Sequence, residues 1–367
     1  MLELKLPKSV RDIDAAWLTQ ALRQGGAPPE TRVDHVETET IGEGAGFAGE
    51  LGRLTVSYAA GSPSGPPTLI AKAPTAAAET RAFFQLAGFY AIEAGFYRDM
   101  AARVPLRTPR CHFNGGDLAT GNFLLLLEDL APARVGDQVT ACSDVDCDLA
   151  VDRLAGLHAA FWGKPELEVI DWLRPIDHPE RTGFFQLVLP AVWPAVVEKA
   201  RDYIGEKVRR IGAMLPAELP ALAAILGKTP VTLLHGDYRL DNLMFGVDGG
   251  ESLAVLDWQA TSRGRGAADL AYFIVGNLTV EDRRRRQDQI ISSYLRGLKA
   301  GGVEGYGLDE CWRDTRAAAL LQLGVLALLL SGAPDLGGLD RGAALARTSL
   351  ERTNAFFEDT DFQDLQE

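Results

Sequence analysis

Cysteine is scarce, with four residues in 367: Cys111, Cys142, Cys147 and Cys311. Their spacings match neither a CxxC zinc site nor a dense disulfide framework, so free thiols in a reducing compartment are expected. A basic excess is also missing. Lys and Arg number 37 against 50 Asp and Glu, a formal net charge of −13, which argues against nucleic acid as the main partner. Long apolar runs are absent. The most apolar stretch, residues 317–330, contains Gln322 and is shorter than a membrane span, so it suits a buried core helix. The opening Met1-Leu2-Glu3-Leu4-Lys5-Leu6-Pro7 has no apolar h-region. No signal peptide and no membrane association are therefore expected, and the default location is cytoplasmic. HExxH and GxSxG are missing too. Gly227-Lys228-Thr229 is like the end of a P-loop, but Leu222 occupies the position that needs the first glycine.

What remains is a globular composition. Charged residues make up 24% and the apolar set 47%, which excludes a disordered or collagen-like chain. The length suggests two structural units. Apolar spacing predicts a helix over 12–24 and strands over 33–40, 53–58 and 68–72. A glycine cluster at Gly42, Gly44, Gly46 and Gly49 lies between the first two strands. One long helical pattern covers 76–104, and Phe123-Leu124-Leu125-Leu126-Leu127 reads as a buried strand. The character changes near residue 131: upstream is strand-rich, downstream mostly helical. A helix is predicted over 148–162, then several proline-punctuated helices over 163–230. Short strands at 231–234 and 253–256 follow, and helices over 280–299, 308–330 and 341–357 finish the chain.

Chemistry concentrates in His235-Gly236-Asp237-Tyr238-Arg239-Leu240-Asp241-Asn242, after one short strand. The next strand ends in Asp257-Trp258-Gln259. Phosphoryl transfer needs a carboxylate to orient the acceptor hydroxyl, and oxygen ligands to hold Mg²⁺ on the nucleotide phosphates. An Asp, an Asn five residues on, and a second Asp after the next strand meet that need. In this arrangement Asp237 is the base and Asn242 and Asp257 are the metal ligands. Arg239 stands where a cation meets the γ-phosphate.

These segments, with Gly264-Arg265-Gly266-Ala267-Ala268-Asp269-Leu270, Leu125-Leu126-Leu127-Glu128-Asp129-Leu130 and Leu154-Ala155-Gly156-Leu157-His158-Ala159-Ala160-Phe161-Trp162, resemble the aminoglycoside phosphotransferase superfamily. Within it they are most similar to the ecdysteroid-kinase-like and choline-kinase-like branch. The resemblance runs from about residue 10 to 357. It implies an α+β, protein-kinase-like bilobal fold with ATP between the lobes. The small β-rich N-lobe would cover 1–130 and the larger, mainly helical C-lobe 131–367. It also implies a strand lysine paired with a helix glutamate. Lys72 matches the lysine. Glu93, followed by Phe96-Tyr97, is the preferred partner, and Glu79 is the alternative. Glu128 and Leu130 resemble the hinge whose backbone meets the adenine edge, with the Glu128 and Asp129 side chains free to be solvated.

Gly44-Ala45-Gly46-Phe47-Ala48-Gly49 matches GxGxxG, but a strand follows it rather than the helix of a dinucleotide fold. Strand–loop–strand suits a lid over ATP phosphates, with Gly44 and Gly46 nearest them and Gly42-Glu43-Gly44 as a second register. His158 fits a core position, and His235 and Asp269 fit bracing roles. Arg283-Arg284-Arg285-Arg286 reads as a solvated helix face. The acceptor is expected against residues 163–230 and 272–330. There Phe184, Phe185, Trp193, Tyr203, Tyr272 and Phe273 are apolar candidates, each equally suited to the core. No acidic cluster stands out in 163–230 to meet ammonium groups. The resulting expectation is an ATP- and Mg²⁺-dependent kinase for a hydroxyl of a neutral or apolar small molecule, terpenoid or steroid-like. An antibiotic phosphotransferase and a catalytically silent ATP-binding protein are the alternatives.

Overall fold

A computed structural model describes residues 4–41, 49–117, 121–250, 252–332, 336, 338, 340–362 and 365. The chain divides into two compact units. The first is Met1–Ala133 with Val255–Gln259, and the second is Arg134–Ala254 with Ala260–Glu367. The division falls three residues beyond the expected 130/131 boundary. It also moves Asp257, expected in the C-terminal part, into the first unit.

The first unit begins with α1 (Ala15–Gln24), whose N-cap Asp14 accepts a hydrogen bond from the Trp17 N–H. Strands β1 (Val33–Ile41), β2 (Gly49–Tyr58) and β3 (Thr68–Pro74) follow. The single helix expected over 76–104 is two helices, α2 (Ala78–Leu86) and α3 (Phe89–Asp99). They break at Gly88, which adopts a left-handed φ of +77° that continues no α-helix. Strands β4 (Cys111–Asp117) and β5 (Asn122–Glu128) complete an antiparallel sheet of order β1-β2-β3-β5-β4. Leu18 and Leu22 of α1 pack on Leu54, Leu69, Leu124, Leu126 and Phe113, a fully buried cluster. β4 escaped the sequence reading because two of its seven residues are glycines and its apolar alternation is poor.

The second unit opens with β6 (Arg134–Val135) and α4 (Asp144–Phe161). α4 starts four residues earlier than the apolar spacing predicts because Ser143 caps it, accepting from the Asp146 N–H. Next come α5 (Pro179–Lys199) and α6 (Glu206–Gly227), where a series of shorter helices was expected. Their prolines, Pro190, Pro194, Pro216 and Pro220, lie inside the helices. Pro220 has no N–H to give Pro216 O, and Gln186 of α5 supplies the missing donor at 3.2 Å. Strands β7 (Thr232–Leu234), β8 (Leu243–Phe245), β9 (Leu253–Val255) and β10 (Ser262–Gly264) form two small ladders, β10-β7 and β6-β8-β9. Helices α7 (Ala267–Asn277), α8 (Val280–Ala300), α9 (Leu308–Gly332) and α10 (Arg341–Asp359) follow.

The core of this unit joins α5, α6 and α9 through Leu189, Trp193, Leu215, Leu219 and Leu323. By length and composition alone, α6 and α9 are apolar enough to cross a membrane. Half of the most apolar window of α9 is buried within the unit. The four arginines of α8 are only in part a solvated face, Arg284 and Arg285 being more than half exposed. Arg283 and Arg286 are buried, and the run is ion-paired: Arg283 and Arg284 to Asp359, Arg285 to Asp144 at 2.9 Å, and Arg286 to Asp144 at 2.8 Å and to Asp148. Charges that read as solvated in sequence here tie α8 to α4 and to the end of α10.

Candidate active site

In the first unit, Lys72 lies on β3, where alternation turns it away from Leu69 and Ala71. Its Nζ donates to Glu93 of α3 at 2.8 Å and to Asp257 Oδ1 at 2.9 Å. Glu93 is 1% exposed and Lys72 8%. Glu79, the alternative partner, is exposed on α2. Burial works against the Lys72 ammonium. Asp257 and Glu93 outweigh it and hold the Lys72 pKa above that of free lysine. Burial raises the Glu93 carboxyl and Lys72 pulls it partly back.

Asp257 adopts φ +59°, a left-handed conformation uncommon for a residue with a side chain. Two side chains grip it: Lys72 on Oδ1, and Gln259 Nε2 on Oδ2 at 3.3 Å. The next residue, Trp258, is fully buried, and its indole N–H donates to Val255 O at 3.1 Å.

The remaining hinge residues behave differently from expectation. Glu128 is not free in solvent. It takes Arg107 at 2.6 Å and the Arg110 N–H at 2.9 Å, while Asp129 takes Arg53 at 2.8 Å. Leu130 is buried, and its carbonyl accepts from the Ala133 N–H at 3.0 Å. Gly44 and Gly46 lie outside the described residues.

In the second unit, the loop after β7 presents Asp237. Two backbone donors hold the loop's start: His235 N–H and Gly236 N–H give to Asp269 of α7 at 2.7 and 2.8 Å. His158 Nε2 lies 3.3 Å from the same carboxylate and its Nδ1 lies 2.8 Å from the Tyr294 hydroxyl. His158, His235 and Asp269 therefore brace the loop. Gly236 has φ +83°, and a Cβ there would stand 2.1 Å from Ala260 O, so only glycine fits.

Asp237 Oδ2 accepts from Arg239 Nε at 3.1 Å and from Asn242 Nδ2 at 2.9 Å. The Tyr272 hydroxyl also hydrogen-bonds the carboxylate. Burial would raise the Asp237 carboxyl, but Arg239, His235 and Tyr272 together hold it below the ordinary aspartate range. Burial and Asp237 push the Tyr272 phenol up, so it remains a donor. Arg239 is ion-paired within the loop, Nε to Asp237 and Nη1 to Asp241, each at 3.1 Å.

The donor atoms suit a divalent cation of the Mg²⁺ type. Asn242 turns its Nδ2 to Asp237, which leaves its Oδ1, a hard oxygen ligand, without a hydrogen bond among the described residues. Asp257 supplies a carboxylate whose side chain is 26% exposed. Asn242 belongs to the second unit and Asp257 to the first. Among the described residues, no group of three or more His, Cys, Asp or Glu is arranged to hold a metal.

Residues 43–301 match the ecdysteroid kinase-like family. The chain belongs to that family. Its fold is shared with kinase-like phosphotransferases. The GDP complex of wild-type aminoglycoside 2'-phosphotransferase-IIIa is 14% identical with a TM-score of 0.55, covering 95% of this chain and 99% of that one. The amicoumacin kinase hAmiN in complex with AMP-PNP, Ca²⁺ and Ami is 15% identical with a TM-score of 0.51, covering 89% and 91%. The acyl-CoA dehydrogenase family member 10 of Mus musculus is 27% identical over 180 residues, 42% of this chain. The ecdysteroid kinase-like chain spans 17% of that relative's length.

Several residues that shape this family member's site were not singled out from sequence. Gln259 was visible only as part of Asp-Trp-Gln, with no sign that it grips Asp257. Gln138 is buried, accepts from Arg239 at 3.3 Å and gives its backbone N–H to Asp241 at 2.9 Å. Asn277, at the end of α7, accepts from the Leu240 N–H at 2.8 Å. α7 was not singled out as a helix either, its first residues standing only in the motif that carries the family resemblance. Of the apolar acceptor candidates, Trp193 and Phe273 are core, and Tyr272 faces Asp237 instead.

Proposed function

We propose that this protein is an ATP- and Mg²⁺-dependent phosphotransferase that phosphorylates a hydroxyl of a neutral or apolar small molecule. The observation that carries the reading is the state of Asp237. It is an ionised carboxylate, held below its ordinary pKa and fixed by Arg239, Asn242 and Tyr272. Such a group accepts the hydrogen bond of an incoming hydroxyl and aims its oxygen for attack. It need not be a strong base, because bond breaking leads in a loose phosphoryl transition state. Arg239 neutralises Asp237 and Asp241 and so keeps the loop's negative charge from opposing an anionic donor.

Lys72, set by Glu93, offers a fixed ammonium to the α- and β-phosphates. Asn242 Oδ1 and the Asp257 carboxylate would hold the metal, which when bound screens the phosphate charge. Gly44 and Gly46 would cover the phosphates, and the backbone at Glu128 to Leu130 would meet the adenine. Relatives of the fold bind GDP or AMP-PNP with Ca²⁺, which supports a nucleotide and a divalent ion here. The absence of an acidic cluster in residues 163–230 supports an uncharged acceptor. Four free thiols and the acidic balance support a cytoplasmic protein without nucleic-acid or membrane partners.

The test is incubation with Mg²⁺-ATP and a pooled library of alcohols, sterols, amino alcohols and aminoglycosides, read by mass spectrometry. A product heavier by one phosphate, lost in Asp237→Asn, is the expected result. Products only from aminoglycosides would move the assignment to an antibiotic kinase. ATP-dependent thermal stabilisation that survives Asp257→Asn, with no product from any pool, would favour a silent nucleotide-binding protein.

A further inference from the structure

We propose that Arg352 of α10 is a positioning residue for phosphoryl transfer, acting through Gln138 on Arg239 and so on Asp237, a role that rests on the reading of Asp237 as the residue that orients the acceptor hydroxyl. All four residues lie in the second unit. The family match ends at residue 301, ahead of α10. Arg352 is 5% exposed. Its Nη1 donates to Gln138 O at 2.6 Å and to Gly276 O at 2.7 Å, and its Nη2 donates to Val139 O at 3.3 Å. Among the described residues, its hydrogen bonds all end on backbone carbonyls and none on a carboxylate. Burial works against its charge, and Glu351 and Asp137 only partly offset that. A buried cation without a carboxylate costs stability, so helix packing alone does not call for one here. What a guanidinium adds is a rigid fork of donors.

The fork fastens a strap beside the catalytic loop. Residues 136–142 are tethered at both ends: Gly136 N–H gives to Leu243 O at 2.8 Å, and Cys142 N–H gives to Asn277 O at 2.9 Å. Asn277 in turn accepts from the Leu240 N–H of the loop. Between the tethers stands Gln138, with each of its polar groups engaged. Its N–H gives to Asp241 Oδ1 at 2.9 Å and its Nε2 to Gly276 O at 3.2 Å. Its Oε1 accepts from Arg239 Nη1 at 3.3 Å, and its carbonyl takes Arg352. Ala141 keeps a left-handed φ of +73°, uncommon for a residue with a side chain, so the tethers hold the strap against its own backbone preference.

Arg239 is the end of that chain. Its Nε faces Asp237 Oδ2 at 3.1 Å, and its Nη1 is shared by Asp241 and Gln138. Two anchors at Nη1 fix the plane of the guanidinium and the edge it shows to Asp237. Asp237 cannot then turn without losing a charge-assisted bond. A second arginine of α10, Arg341, also reaches the strap and the loop, through Asp137 and Asp241 at 2.8 Å each. Its side chain is 42% exposed, and exposed pairs contribute little. The buried fork of Arg352 is therefore the contact that sets the aim of the carboxylate.

The first readout is ADP formation from Mg²⁺-ATP with the pooled acceptor library present, well below Tm. Arg352→Met should lower the maximal rate about ten-fold or more, as misplacement of a reacting group does, with the ATP KM nearly unchanged. Arg352→Gln, which keeps donors for one carbonyl, serves if Arg352→Met does not fold. Arg352→Lys, whose ammonium can still bridge the two carbonyls that share Nη1, should restore most of the rate. Phe357→Leu, a core change on the same helix, should lower Tm without lowering the rate. Gln138→Met should slow transfer about as much as Arg352→Met, and the double variant should be little slower than either, while the losses in Tm add. Rate losses that multiply in the double variant, or a full rate in Arg352→Met, would overturn the proposal. The second readout needs neither acceptor nor nucleotide. The Arg239 Nε–H, identified in ¹⁵N NMR by its loss in Arg239→Lys, should exchange with water about ten-fold faster in Arg352→Met and in Gln138→Met than in wild type. Unchanged exchange in either would overturn the proposal. Faster exchange in a chain whose wild type phosphorylates nothing in the library would instead overturn the kinase reading and confirm the link from Arg352 to Arg239.

Discussion

Phe96 and Trp258 stack face to face, with ring centroids 4.0 Å apart and planes 5° from parallel. Both are fully buried. Phe96 follows Glu93 by one turn of α3, and Trp258 follows Asp257 directly, so the stack fixes the two carboxylates that hold Lys72. Trp258→Ala should cost about 3–5 kcal/mol through the cavity it leaves. It should also depress phosphotransfer more than a core substitution of equal cost elsewhere. Trp258→Phe, which keeps an aromatic face, should retain most activity. Denaturant unfolding beside initial rates checks both.

Lys72→Met should leave Glu93 buried beside Asp257 without a cation. Removing one partner of a buried pair costs about 3–5 kcal/mol. Turnover should fall by two orders of magnitude or more. The double variant Lys72→Met with Glu93→Leu should regain stability and remain inactive. Thermal unfolding and rates of ADP formation with acceptor present separate the two effects.

Gly236→Ala should distort the catalytic loop. The substituted residue would face both a left-handed φ and a carbonyl oxygen 2.1 Å from its Cβ. A loss of about 1–2 kcal/mol is expected from the backbone conformation alone, with more from the clash. Activity should drop further than stability, because Asp237 is the next residue. Tm and kcat measured on the same preparation test this.

Asp359 should impose a pH dependence on stability. Its hydrogen bonds to Arg284 and Arg283 outweigh partial burial and hold its carboxyl below the ordinary aspartate value. A depressed folded-state pKa means the contribution is complete above the unfolded value of about 3.9. It is then lost as pH falls through the folded value. Asp359→Asn should therefore destabilise the chain at neutral pH and flatten the stability decline below about pH 4. It also leaves the buried Arg283 short of an anion, so a loss of about 1–3 kcal/mol is expected at pH 7. Urea unfolding from pH 3 to 7 gives the comparison.

Much of the chemistry was legible along the chain because it depends on spacing within single loops. Asp237 and Asn242 lie five residues apart in one turn, and the turn itself brings Asn242 Nδ2 to Asp237. The strand lysine was legible because β3 is short, apolar and punctuated by proline. Other features were not, because they join distant segments. The Phe96-Tyr97 that follows Glu93 favours it over Glu79, but the physical reason lay out of sight: the break at Gly88 leaves Glu93 buried on α3 and Glu79 exposed on α2.

Sequence by itself determined which residue types were available for phosphoryl transfer and on which turns they stand, since local backbone geometry follows local sequence. Tertiary structure alone decided how charges are spent. It set Arg239 against Asp237 and buried Arg283 and Arg286 against acids from other helices. Those outcomes depend on which side chains packing brings within about 3 Å of one another. Neither periodicity nor composition encodes that distance.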